Sequence, residues 1–164
     1  MALLLAVVVW GAGCSDTRGP WKAAQALDIR ESREPGEQAI ARIQHAVQVT
    51  RNEGGRAGYA ALSVRGPAHL RQIGESYLTK LTHAAGYGCD KTPLPWPLIL
   101  DDNVRKALVR SGGILHHEDW SLDHTPVAYG QYLCIAHTWA QMWDVPADHV
   151  EYALFRLGRD GGVN

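Results

Sequence analysis

Lys80 and Asp101 are the residues whose types and placement bear most directly on chemistry. A lysine amine is a nucleophile once it is neutral, and a carboxylate stabilises positive charge that develops beside it. Lys80 follows Ser76 by four residues, in the middle of an expected helix with apolar or small neighbours, and Asp101 stands 21 positions further on, where the next helix should begin. A helix leaving a tight turn at Gly74 would deliver the amine to a cleft, and a returning loop would deliver the carboxylate. Each residue also has an ordinary reading. Helical lysines are usually solvated surface residues, and an aspartate at a helix start is usually a cap.

The elements that must position this pair begin with Leu70-Arg71-Gln72-Ile73-Gly74-Glu75-Ser76. An apolar residue followed by glycine permits a tight turn and presents amide N–H groups at a helix N-terminus, where the helix dipole favours a phosphate oxygen. Arg71, Gly74 and Ser76 are therefore candidates for contact with a nucleic-acid backbone, against the alternative of an ordinary turn between helices. Net charge alone, −1, does not advertise a nucleic-acid partner. Its distribution is more informative. Arg65 to Arg110 holds seven basic residues against four acids, a net of +3, whereas the chain beyond Arg110 holds two against seven, a net of −5.

At 164 residues, with 46% hydrophobic and 20% charged residues, the chain has the size and composition of one globular domain over 1–164. The three cysteines, Cys14, Cys89 and Cys134, have no metal-ligand spacing, and an odd, scattered set fits reduced thiols in a cytoplasmic protein. No cofactor or metal is expected. His116-His117-Glu118-Asp119 reads as a solvated loop, because adjacent histidines do not readily converge on one ion. The apolar run Ala2 to Trp10, followed by Gly11-Ala12-Gly13-Cys14, resembles a lipoprotein leader. It lacks the positively charged start of a secretory signal and has Gly11 three positions before the cysteine. The run is also too short to span a bilayer. A buried first helix is the preferred reading, with export as the alternative.

Helical spacing predicts an all-α fold. Pro20 can open a helix that frays near Pro35, and Glu37 to Arg51 repeats Ile40, Ile43 and Val47 on one face. Asn52 to Gly58 reads as a glycine-rich break, followed by a short segment, Tyr59 to Val64, and a second break at Arg65-Gly66-Pro67. Ala68 to Gly86 reads as two short helices divided at Gly74, a hairpin over about 66–86, with Ser76 capping the second and Tyr77, Leu81 and Ala84 on one face. Prolines 93, 95 and 97 make Lys91 to Leu100 an extended connection. After Asp101 comes a helix with Val104 and Leu108 inward. Pro126 to Trp143 places Tyr129, Tyr132, Ile135, Ala136, Trp139 and Trp143 on one face, and a last helix after Pro146 buries Val150, Leu154 and Leu157 and stops at Gly158.

Gly74-Glu75-Ser76-Tyr77-Leu78-Thr79-Lys80-Leu81, then Leu98-Ile99-Leu100-Asp101 with Val104, resembles a bacterial family of 8-oxoguanine DNA glycosylase fold within the helix-hairpin-helix superfamily. The family pattern is Gly-x-x-Phe-x-Thr-Lys and then Leu-Ile-Leu-Asp-x-x-Val. The likeness extends to Trp10-Gly11, to the helix around Tyr132 and Trp139, and to Val150 through Phe155. Tyr77 replaces the usual Phe, and Thr82-His83 stands where the family is aromatic and apolar, which bears on the base pocket more than on the chemistry. The resemblance implies an enzyme that flips a modified base out of double-stranded DNA, and a monomer is expected. Asp101 would stabilise the cationic sugar, and Lys80 would attack C1′ to give a Schiff base that can cleave the strand by β-elimination. Free lysine has a pKa of about 10.4. Burial would lower that value and a nearby Asp101 would raise it. Aromatic walls are expected for the base, with Trp10, Trp120 and Tyr129 favoured because they lie at segment ends.

The base implied by default is 8-oxoguanine. The superfamily also has members that excise bulky hypermodified bases, including glucosylated hydroxymethylcytosine, as antiviral defence, and a compact chain would leave an open pocket for such a base. The third possibility is a DNA-binding module without catalysis.

Overall fold

The computed structural model describes residues 2–4, 6–7, 24, 36–70, 73–90, 92–110 and 125–161. Six helices follow a helical N-terminal stretch: α1 (Glu37–Glu53), α2 (Gly55–Leu62), α3 (Glu75–Gly86), α4 (Asp102–Arg110), α5 (Pro126–Trp143) and α6 (Ala147–Asp160). No described residue is in a strand, so the fold is all-α, as the periodicity predicts. Leu4 and Val7 of the N-terminal stretch are helical and buried in the common core. Trp10, Arg71, Trp120, the histidine pair near 116 and nearly all of the expected helix after Pro20 lie outside the described residues.

The core is a single cluster in which α1 packs on α2 and α3, α2 on α5, and α5 and α4 on α6. Inward residues recur at helical spacing, for example Ala39, Ile43, Ala46 and Thr50 of α1. Thr125 caps α5 by accepting the Ala128 N–H at 3.1 Å, and Pro126 occupies the first turn, where a missing N–H costs nothing.

Four local expectations need correction. The break after α1 is confined to Gly54, whose φ of 90° suits glycine. Gly55 to Gly58 continue as helix, and Gly58 lies so close to Thr50 that a Cβ would meet its hydroxyl. Second, Ala68 to Ile73 is not a helix in its described part. The chain leaves α2 at Leu62 and runs irregularly to Leu70, with Ala68 and Leu70 buried and Ala68 N donating to Ala61 O at 2.8 Å. Third, α5 outruns the core. Ala140 is its last buried residue, and Trp143 lies in solvent, stacked on Trp139 with ring centroids 5.8 Å apart. Fourth, Leu157 is exposed, and Gly158 does not stop α6 but lies buried within it against α4.

At Gly158 a Cβ would fall 1.7 Å from Asn103 O, a backbone atom that cannot move aside. Gly158→Ala is expected to lower unfolding stability by about 1–3 kcal/mol through overpacking, although alanine is the better helix former. Thermal or denaturant unfolding of the variant measures this.

Candidate active site

The site forms around a stretch with no regular structure. Pro97 to Leu100 is extended and buried, with Leu98 at 2% exposure, and no strand among the described residues runs beside it. Its main-chain polar groups must find partners or carry the cost of burial. Side chains from three helices supply them. From α3, Thr79 Oγ1 accepts the Leu100 N–H at 3.1 Å. Tyr129 and Tyr132 of α5 donate to Leu98 O at 2.7 Å and to Ile99 O at 2.9 Å. Burial holds both phenols well above their usual titration range, so they remain donors. Glu151 of α6 accepts the Ile99 N–H at 2.7 Å. His83 Nδ1 lies 2.9 Å from Pro97 O and His137 Nε2 lies 3.1 Å from Trp96 O. Because a carbonyl only accepts, these nitrogens carry the protons, and a neutral ring then keeps its other nitrogen as an acceptor.

The clamped stretch ends at Asp101, which caps α4. One carboxylate oxygen, Oδ1, accepts the Asn103 and Val104 N–H groups, both at 3.0 Å. The capping role and a place in the site are thus compatible. Opposite, the half-buried Lys80 turns back along α3 and donates from Nζ to Ser76 Oγ at 2.9 Å, with the Tyr77 ring centroid 5.5 Å away. Burial lowers the pKa of Lys80, and the charges of Asp101, Asp102 and Glu151 oppose that shift without cancelling it. The competition left open by the sequence is therefore won by desolvation. Glu151 is affected in the other direction: burial, with smaller contributions from Asp101 and Asp148, pushes its carboxyl up to about 7 against the opposing Ile99 N–H bond and Lys80 charge. Lys80, Asp101 and Glu151 form one electrostatic group.

Two concavities lie at the two ends of α3. A hollow of about 410 Å³ lies at the start of α3, lined by Gly74, Glu75, Ser76, Tyr77, Leu100, Asp102 and Arg105. Gly74, the residue before α3, has nothing within 4 Å of where a Cβ would stand. Ser76 is not the cap expected for this helix: α3 begins at Glu75, and the Ser76 hydroxyl serves Lys80 instead. Glu75 is paired with Arg105 at 2.7 Å. At the other end of α3 a cleft of about 830 Å³ runs between His83, Tyr87, Trp96, His137, Gln141 and Asp148, floored by Pro97 and Leu98. His83 is three residues past Lys80 on α3, and Asp148 is three before Glu151 on α6, so the cleft opens within one turn of the charged group.

Tyr129 does not wall either space. It is 1% exposed, and its ring lies 4.7 Å from that of Tyr59 inside the core. Its place near the start of α5 made it look peripheral, but the residue faces the clamped segment. Sequence reasoning passed over Glu151, Trp96 and the contribution of His83. The signal for Glu151 was available: it adjoins Val150 and precedes Leu154 by three residues, at the border of the buried face.

The fold and site define a helical domain with a lysine and two acids in one electrostatic group, one helical turn from an aromatic cleft. Residues 1–155 match the family described as "Putative 8-oxoguanine DNA glycosylase OGG-like protein". The chain belongs to that family. The comparisons with curated proteins and with solved structures give no match. No described helix is long and apolar enough to cross a membrane, and no group of three or more potential metal ligands occurs among the described residues.

Thr79→Val removes the hydroxyl that receives Leu100 N–H and is expected to cost about 1–3 kcal/mol, the penalty of a buried donor left unmet. Asp101→Asn is expected to lower the Lys80 pKa further, because the Asp101 charge is the largest influence raising it. The pH titration of the Lys80 side-chain NMR signal measures that change.

Proposed function

We propose that this protein excises a modified base from double-stranded DNA, with Lys80 as the nucleophile and Asp101 as the stabilising carboxylate. The observation that carries the reading is the half-buried Lys80 amine, its pKa lowered by burial, within electrostatic reach of Asp101 on a helix whose next turn, at His83, lines the cleft. A desolvated amine has the larger neutral fraction that attack on C1′ requires. Nζ bonds to C1′ as the N-glycosidic bond breaks, its electron pair leaving with the base, which gains a proton while the amine loses one. Opening of the sugar ring then gives an iminium that water hydrolyses or that loses the 3′ phosphate by β-elimination. Asp101 lowers the energy of the cationic sugar at the start of this sequence.

The layout of α3 supports this assignment. At about 1.5 Å per residue, roughly 9 Å separates Gly74 from Lys80 and roughly 10 Å separates Lys80 from Tyr87. A phosphate at the Gly74 and Ser76 end, a sugar at Lys80 and a flipped base toward Tyr87 fit that order. Arg71 remains a candidate for backbone contact, and Trp10 and Trp120 for the pocket. The Glu75–Arg105 pair keeps the acid beside the phosphate end neutralised.

For the base, 8-oxoguanine is the family default. The cleft volume favours the second reading, a base with a bulky polar substituent, because about 830 Å³ exceeds what a bare purine fills. The aromatic rings of Trp96, at 37% exposure, and Tyr87, at 72%, provide stacking surface. Histidine nitrogens, Gln141 and Asp148 provide acceptors for hydroxyl donors. Antiviral excision of such bases is the corresponding role.

Wild-type protein treated with borohydride on an abasic duplex is expected to form a covalent adduct that Lys80→Ala abolishes. Asp101→Asn, which retains a capping side chain, should fold and lose base release by at least about 100-fold, the usual scale for an electrostatic group at a developing charge. DNA binding by all three proteins without adduct or base release would instead identify a non-catalytic binding module. Trp96→Ala should weaken excision of a bulky base while leaving the abasic adduct unchanged; equal loss of both would remove Trp96 from the base site.

A further inference from the structure

We infer that Glu151 is a positioning residue for Asp101, acting by the reach of its side chain through the Ile99 amide. This rests on the excision reading for its consequence in catalysis, though not for its geometry. Glu151 Oε2 accepts the Ile99 N–H at 2.7 Å across 52 residues of sequence. Ile99 lies two residues before Asp101, and its own carbonyl receives the Tyr132 hydroxyl. The peptide groups on both sides of Ile99 are thereby fixed by α5 and α6, and the orientation of Leu100 and Asp101 follows.

The backbone contacts of α6 reinforce the point. Its buried Gly158 lies against Asn103 O, two residues beyond Asp101. Helix α6 therefore braces Asp101 from both sides, through Glu151 before it and through Gly158 after it. Glu151 faces Lys80 from α3, Asp101 at the start of α4, Tyr129 and Tyr132 from α5, and Asp148 on its own helix. Its charge raises the Lys80 pKa, so charge and reach are separable contributions of one side chain.

Two conservative variants separate them. Glu151→Gln keeps the length and an acceptor oxygen but loses the charge. Glu151→Asp keeps the charge but is one methylene shorter, too short to hold Ile99 N–H without movement of α6. On an abasic duplex with borohydride, the Gln variant is expected to form the Lys80 adduct within about threefold of wild type, and the Asp variant at least tenfold more slowly. The Gln variant should also move the pH midpoint of adduct formation downward, because the acid no longer holds the amine charged. The same variants are read without any substrate by the amide NMR signals of Asn103 and Val104, which report the Asp101 cap. These should stay in place in the Gln variant and shift in the Asp variant. Retained adduct formation and cap signals in the Asp variant, or a Gln variant as impaired as Asp, would overturn the positioning role. If wild-type protein forms no adduct, the excision chemistry fails, and the cap signals alone then support or overturn the positioning of Asp101 by Glu151.

Discussion

A buried extended segment with no strand beside it is the constraint on which this structure turns. Trp96 to Leu100 cannot use the hydrogen-bond ladder of a sheet, and burial of Pro97 to Leu100 denies most of it water. Its partners are therefore side chains, and each one ties the segment to a helix: Thr79 to α3, Tyr129, Tyr132 and His137 to α5, Glu151 to α6. Helices that share this backbone cannot shift independently. The residues that close the core are also those that hold Asp101 opposite Lys80, so folding and assembly of the charged group are the same event.

Much of the architecture was legible because helical spacing reports burial. The span of α5 emerged from Pro126 and the tyrosine stripe, and the irregular connection before Asp101 from three prolines. Lys80 and Asp101 were legible as a pair through the family resemblance, but Glu151 as their third charged neighbour was not, since it depends on how α6 packs. Misreadings arose where packing overrides local signals. Gly55, Gly58 and Gly158 look like helix breakers, yet each allows a neighbour to approach closely, a property that one sequence segment cannot reveal. Tyr129 looked peripheral because its burial is imposed by a partner 31 residues away. Glu151 was obscured for a related reason: its role is defined by Ile99, a distant part of the chain.

The electrostatics of the group come from unequal burial. Lys80 loses solvation and is drawn toward neutrality, while three acids draw it back. Glu151 loses solvation as well and titrates near 7, where small changes in its surroundings change its mean charge. A lysine surrounded by acids on a solvated surface would simply remain charged. Here the helices surrounding the extended segment remove enough water to lower the pKa of the amine despite those acids.

The buried tyrosines give the clamp another property. The hydroxyls of Thr79, Tyr129 and Tyr132 stay protonated across the ordinary range of pH, so their hold on the backbone is indifferent to acidity. Glu151 alone among these ties to Leu98, Ile99 and Leu100 changes its protonation there. Acidity therefore reaches the Leu98 to Leu100 backbone through Glu151, while the three hydroxyls keep their hold: one tie of the clamp hears protons and three are deaf to them.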